Sequence, residues 1–151
     1  TDVAKQYLID KGFGPSAPSY AQFYNGMAVI NLAPLQDDVV LYPDLIKVWV
    51  DIPSATVLGL DAHNYLMSHK PRTLEKPTLT EQEARQQLTS SVEVKGTRLA
   101  LIPMDTNEEK LRWEFTGALD DHEFLIYVNA QTGVEEDIMM IQHTNDGKLV
   151  M

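Results

Sequence analysis

The chain has no cysteine. Disulfides, thiolate metal sites and cysteine nucleophiles are excluded together. The compartment stays open, because many exported bacterial proteins also lack cysteine. No apolar run approaches the roughly 20 residues that a membrane-spanning helix requires. Basic residues are scarce: 12 Lys and Arg stand against 22 Asp and Glu, a formal net charge of −10. Such a surface repels phosphate backbones and anionic headgroups, so nucleic acid and membrane are poor partners and a basic protein is a better one. The same acidity also serves solubility alone. It is uneven, with a net of −3 over residues 1–70 and −8 over residues 78–151.

Catalytic motifs are missing as well. The sequence holds no GxSxG elbow, no phosphate-binding glycine loop and no cofactor fingerprint. The histidines are His63, His69, His122 and His143. None pair at i, i+4, and none stand in an HExxH frame. Asp61 and His63 could ligate a metal only with partners from elsewhere, and they read as a solvated strand end. DTNEEKLRWEFT, from Asp105, has the outline of a calcium loop. Lys110 stands where the sharp turn needs Gly and Thr116 where a bidentate Glu belongs, so it reads as a hairpin loop. The pairs Asp37–Asp38 and Asp120–Asp121 fall in turns, where hydration denies a carboxyl the raised pKa of a general acid. Glu114 lies on the polar face of a strand. No catalytic residue, metal site or cofactor is expected.

What is present is a repeat. With 151 residues, 44% of them hydrophobic, the chain is long enough for one ordinary domain or two small ones. It begins at Thr1, without a start methionine or signal peptide, and reads as a processed product or a cut piece of a longer protein. VWVDIPSATV (48–57) returns as IYVNAQTGV (126–134), with Ala55 standing where the second copy has Gly133. Upstream, MAVINLAPLQDD (27–38) matches LRWEFTGALDD (111–121). Counting back from the Asp pairs sets Ile30 against Trp113 and Leu32 against Phe115. Leu111, Trp113 and Phe115 alternate with Arg112, Glu114 and Thr116, the pattern of a half-buried strand. Ile46, Val48, Val50 and Ile52 share one face of the next strand, as do Phe124, Ile126, Val128 and Ala130.

A short helix precedes each strand set. Residues 2–11 carry Val3, Tyr7 and Leu8 on one side, with Gly12 as the stop. Residues 80–89 open with Thr80 and Glu83 in capping-box spacing, with Ala84 and Leu88 facing inward. Helices this short persist only when packed on a sheet. Seven of the eight glycines fall at turns, helix ends or strand joins, and Gly59 marks a bulge or close backbone packing. KPRTLEKPT (70–78) has two prolines and no apolar period and reads as a linker, favourable to proteolysis. A last hairpin is expected around Asn145, Asp146 and Gly147. The fold class is α+β: a first repeat over 1–70, a linker over 71–77 and a second repeat over 78–151. Each is a short helix on a three- to four-stranded antiparallel sheet.

Trp49 and Tyr127 occupy equivalent positions opposite the aliphatic stripe. If the helices cover the aliphatic face, these aromatics point outward as candidate partner-binding residues, able to anchor a protein or stack on a sugar. If the helices cover the other face, they are core. Tyr20, Phe23 and Tyr24 carry the same ambiguity.

The hairpin pattern of Val-x-Val, Asp or Asn, two residues, Ser or Thr, then Gly resembles that of PepSY domains. The longer run from Gly26 to Lys70, followed by LTEQEAR and TRLALIP, resembles the C-terminal PepSY repeats of the YpeB family of spore germination proteins. Ala55 departs from the Gly preferred in that hairpin and leaves the geometry of its turn open. The resemblance implies a non-enzymatic protein of endospore formers. It would be anchored through an N-terminal segment, on the outer side of the inner membrane in the cortex region. It would act with the cortex-lytic enzyme SleB, stabilising, localising or restraining it. A peptidoglycan-binding module is the alternative. Peptidoglycan and a second copy of the chain are further candidate partners, since small antiparallel units leave sheet edges that accept another chain.

Overall fold

The structure, a computed structural model, describes residues 1–144 and 147–150. The chain folds as two compact units. The first holds Thr1–Lys70, joined by residues around Gly147, and the second holds Pro71–Gln142.

In the first unit the order is α1 (Asp2–Asp10), β1 (Ser16–Tyr24), β2 (Met27–Gln36), β3 (Val39–Leu41), a 3-10 turn (Tyr42–Asp44), β4 (Ile46–Asp51), β5 (Thr56–Asp61) and α2 (His63–Ser68). The antiparallel sheet runs β1–β2–β4–β5, with β3 paired to the far end of β2. Ala4 and Leu8, four residues apart on α1, are both fully buried. They pack on the face made by Ala28, Ile30 and Leu32 of β2 with Ile46, Val48 and Val50 of β4. Val3, expected on that face, is 40% exposed, and Ala4 packs against the sheet with Leu8 instead. α1 ends in a Schellman motif: Phe13 N–H donates to Leu8 O (2.9 Å) and Gly12 N–H to Ile9 O (3.0 Å), with Gly12 at φ +88°.

The second unit runs α3 (Glu81–Arg85), β6 (Glu93–Pro103), β7 (Glu109–Leu119), β8 (His122–Asn129) and β9 (Glu135–Thr144). Its strands pair in order, all antiparallel. Ala84, Phe115, Ile126 and Val128 form the core, with Leu88, Val92, Trp113 and Phe124 packed around them. The capping box at Thr80 and Glu83 is complete. The helix it opens stops at Arg85, shorter than expected, and residues 86–88 continue as turns. The last strand, β10 (Gly147–Val150), sets Gly147 opposite Gln22 of β1. Asn145 and Asp146, the turn of the expected final hairpin, lie outside the described residues.

Both units are therefore α+β, a short helix on an antiparallel sheet, as expected. Three further expectations are corrected. First, Ile30 lies opposite Val48 and Phe115 opposite Ile126, so Ile30 corresponds to Phe115 and not to Trp113. The 3-10 turn between β3 and β4 moves the first unit's pairing by two residues. An even shift keeps every side chain on its face, which is why the pattern survived. Second, Ile52 lies past the end of β4 and is 50% exposed. Third, Gly96 and Gly117 sit inside strands; a Cβ on Gly117 would stand 2.6 Å from Val92 Cγ1, so this glycine admits the segment before β6. Asp61 does end β5 and is exposed, as expected, and His63, also exposed, opens α2 just after it.

The Asp pairs do form turns. Asp37 and Asp38 take φ of +50° and +63°, and Asp120 and Asp121 +50° and +62°, the two left-handed residues of a type I′ hairpin. All four are exposed. Residues 104–108 close the β6–β7 hairpin, with Met104 N–H donating to Glu108 O at 2.8 Å.

Candidate functional site

The repeated hairpin loops are built by the same local chemistry. Asp51 accepts from the Ser54 hydroxyl and, at 3.0 Å, from its backbone N–H. Those two bonds, the hydroxyl first, hold the Asp51 carboxyl below the usual range. At the equivalent position Asn129 Oδ1 accepts from the backbone N–H groups of Gln131 (2.9 Å) and Thr132 (3.1 Å). Each side chain thus folds its own loop. Ala55 takes φ +53° where Gly133 takes +76°, so both loops place a left-handed residue at this position.

The two loops differ in what lies on them. In the second unit, Thr78 and Leu79 both donate backbone N–H groups to Ala130 O at 3.0 Å. Gln131 accepts from Thr78 N–H (3.1 Å) and donates to Lys76 O (3.2 Å), while Trp113 Nε1 donates to Leu79 O (3.0 Å). Upstream, Arg72 makes a bidentate pair with Glu109, both contacts at 2.8 Å. Residues read as a linker are therefore docked along their own unit. In the first unit residues 52–56 are all exposed.

Helices cover the aliphatic face in both units, yet the two aromatics differ. Tyr127 is 3% exposed and donates its hydroxyl to Glu114 Oε2 at 2.7 Å. Arg98 Nε lies 2.6 Å from Glu114 Oε1, and Arg98, Glu114 and Tyr127 stand opposite one another on three neighbouring strands. Beside them Arg112, 2% exposed, reaches Asp137 (2.5 Å) and Glu136 (2.6 Å), and Asn129 donates to Glu136 at 2.9 Å. Trp49 is half-buried, opposite Val29 and Gly59. Phe23 and Tyr24 are 43% and 44% exposed and Tyr20 is half-buried. β7 is thus not half-buried as its alternation suggests: Arg112 and Glu114 are as enclosed as Phe115. Alternation gave no sign of this burial, which rests on pairing with groups of other strands, as buried charge requires.

A second cluster had no sequence signal. Asp44, fully buried, meets His69 Nδ1 at 2.7 Å. Tyr65 stacks on His69 at 4.2 Å, and Phe13 meets Tyr65 edge-on at 5.0 Å. His63 donates its backbone N–H to Asp61 (2.9 Å), a helix-start bond. Among the described residues no group of three or more His, Asp or Glu is placed to hold a metal ion. No helix among them is long and apolar enough to cross a membrane.

β5 forms one end of its sheet and pairs only with β4 among the described residues. The register slips between Trp49 and Val50, leaving Leu58 as the bulged residue beside Gly59, 59% exposed. α2, which follows, presents Leu66 and Met67 at 76% and 75% exposure.

A family profile described as YpeB sporulation, PepSY1 and PepSY2 domains matches residues 1–75. Sporulation protein YpeB of Halalkalibacterium halodurans is 40% identical over 119 residues, 79% of this chain and 27% of that protein. The Bacillus subtilis protein of the same name is 35% identical over 120 residues, 80% of this chain and 27% of its own length. That of Oceanobacillus iheyensis is 31% identical over 150 residues, 99% of this chain and 33% of its own. The chain thus spans 27% to 33% of the length of these relatives. Among solved structures, the Bacillus megaterium YpeB C-terminal domain superposes with a TM-score of 0.82 at 32% identity, covering 93% of this chain and 63% of that one.

Proposed function

The chain belongs to the YpeB sporulation family through its PepSY repeats, and from that premise we propose that it is a protein-binding module without catalysis of its own, one that holds, stabilises or restrains the cortex-lytic enzyme SleB in the spore. The observation that carries the reading is the open edge of β5. A strand without a neighbour offers a row of unpaired N–H and C=O groups. Natural edges are guarded by lysine, proline, an inward charge or a bulge that twists the edge away, and the bulge is what β5 has. TVLGLD has no lysine or proline, and its bulge turns Leu58 outward. An extended segment of a partner adds there by backbone hydrogen bonds, with Leu58 as an apolar contact.

The carboxylates support the same reading. Glu114, Glu136 and Asp137 are committed to arginines. The Asp pairs sit exposed in hairpin turns, where their form is structural. A protein that binds only the folded form of an enzyme protects it by mass action, about 2.7 kcal/mol at a hundredfold excess over Kd. That protection needs no chemistry.

The test is titration of the purified chain with the catalytic domain of SleB at low and high salt, following association and peptidoglycan release together. Association with suppressed release identifies a restraint, and association with unchanged release a stabiliser or tether. Absence of association, with retention on purified peptidoglycan instead, would replace this reading by the wall-binding one.

A further inference from the structure

The hairpin loops share the backbone bond that anchors their first residue and differ at that residue's carbonyl. Ile52 N–H donates to Gly26 O at 2.9 Å, and Ala130 N–H donates to Leu111 O at 3.1 Å, so Ile52 and Ala130 hold the same place. Ala130 is fully buried, and its carbonyl accepts from both Thr78 and Leu79. The Ile52 carbonyl has no hydrogen-bond partner among the described residues, and Ile52 is 50% exposed.

We propose that the loop from Asp51 to Ala55 is a docking site for an extended segment of a protein partner, in which a basic residue and a proline precede a small aliphatic residue. This rests on the protein-binding function above and names the chemistry of one contact. The second unit supplies the template. There Lys76, Pro77, Thr78 and Leu79 cross the loop, the proline holding the residue before it extended.

Pro53 stands where Gln131 holds Thr78 and Lys76, so the first loop lacks those side-chain bonds, and three further differences set what it accepts. Asp51 carries a negative charge where Asn129 is neutral, which favours a cationic segment. Ile52 replaces Ala130 and gives the segment an exposed apolar side chain to pack on. Ala55 replaces Gly133, and this selects size. A Cβ on Gly133 would stand 2.9 Å from Leu79 Cδ2, and Ala55 has that Cβ. Leucine is therefore too large at the last position, and valine or alanine fits.

The experiment is a residue-resolved NMR titration of the purified chain with the capped peptide acetyl-Leu-Glu-Lys-Pro-Thr-Val-Thr-amide, the sequence of residues 74–80 with Val in place of Leu79. Saturable shifts at Ile52, Ser54, Ala55 and Thr56 are expected. The peptide that keeps leucine should bind at least fivefold more weakly. Ala55→Gly should remove that preference, and Ile52→Asp, at an exposed site, should abolish binding while leaving the remaining spectrum unchanged. Shifts confined to 129–133, or none, overturn the site. SleB added to the same labelled chain separates the two readings. Its association without any change at 52–56 overturns this inference and leaves the proposed function standing. Peptide docking without enzyme association supports the site and overturns the enzyme as its partner.

Discussion

Tyr127 and Glu114 face each other across neighbouring strands, and the phenol donates to the carboxylate at 2.7 Å, on the sheet face away from the helix that seals the unit's aliphatic core. Glu114 is 2% exposed and shares its other oxygen with Arg98. Removing the hydroxyl leaves a buried charged acceptor short of one bond. Tyr127→Phe should therefore destabilise the fold by about 1–3 kcal/mol. Urea unfolding measures it. A loss under half a kcal/mol would mean that water replaces the phenol.

Ala55 holds a left-handed backbone, φ +53°, which costs an L-residue roughly 1–2 kcal/mol. Glycine relieves that strain at some cost in unfolded-state entropy. Ala55→Gly should raise stability by about 0.5–1 kcal/mol. Gly133→Ala should lower it by more than that gain, because its Cβ meets Leu79 as well. Paired thermal melts of the two variants check both signs, and equal effects would remove the distinction between a covered and an open loop.

The depressed pKa of Asp51 makes its hairpin acid-sensitive. The charged carboxylate is the form that accepts from Ser54. Its contribution is fully present above the unfolded Asp value, about 3.9. It fades as pH falls through the lower folded value. Ser54→Ala should therefore bring the Asp51 titration back toward the ordinary range, read by NMR. An unchanged midpoint would show that the hydroxyl does not hold the charge.

Leu58 is bulged and exposed on an edge that has no lysine or proline. Leu58→Lys supplies the edge lysine that the strand lacks. Association with SleB should weaken at least tenfold, while the urea midpoint stays within the few tenths of a kcal/mol typical of surface changes. Undiminished association would place the enzyme on another surface.

Much of this could be read from residue order, because it rests on local rules. The Asp pairs make left-handed turns between strands. Thr80 and Glu83 are enough for a capping box, and Gly12 for a helix end. Two-residue alternation put Phe115, Ile126 and Val128 on one face. Written twice, these signals produce two α+β units whatever the exact register.

What residue order left open depends on groups far apart in the chain. Alternation shows that Arg112 and Glu114 share a face, but not whether water reaches it. Their burial follows from pairing with Asp137 and Arg98 on other strands. Asp44 and His69, 25 residues apart, meet only after the 3-10 turn and α2 have formed. The docking of Thr78 and Leu79 on Ala130 joins segments more than fifty residues apart through backbone groups that every residue carries, so no side-chain pattern announces it. Local conformational preference thus wrote the elements, and long-range pairing of buried polar groups decided which loop is covered and which stands open.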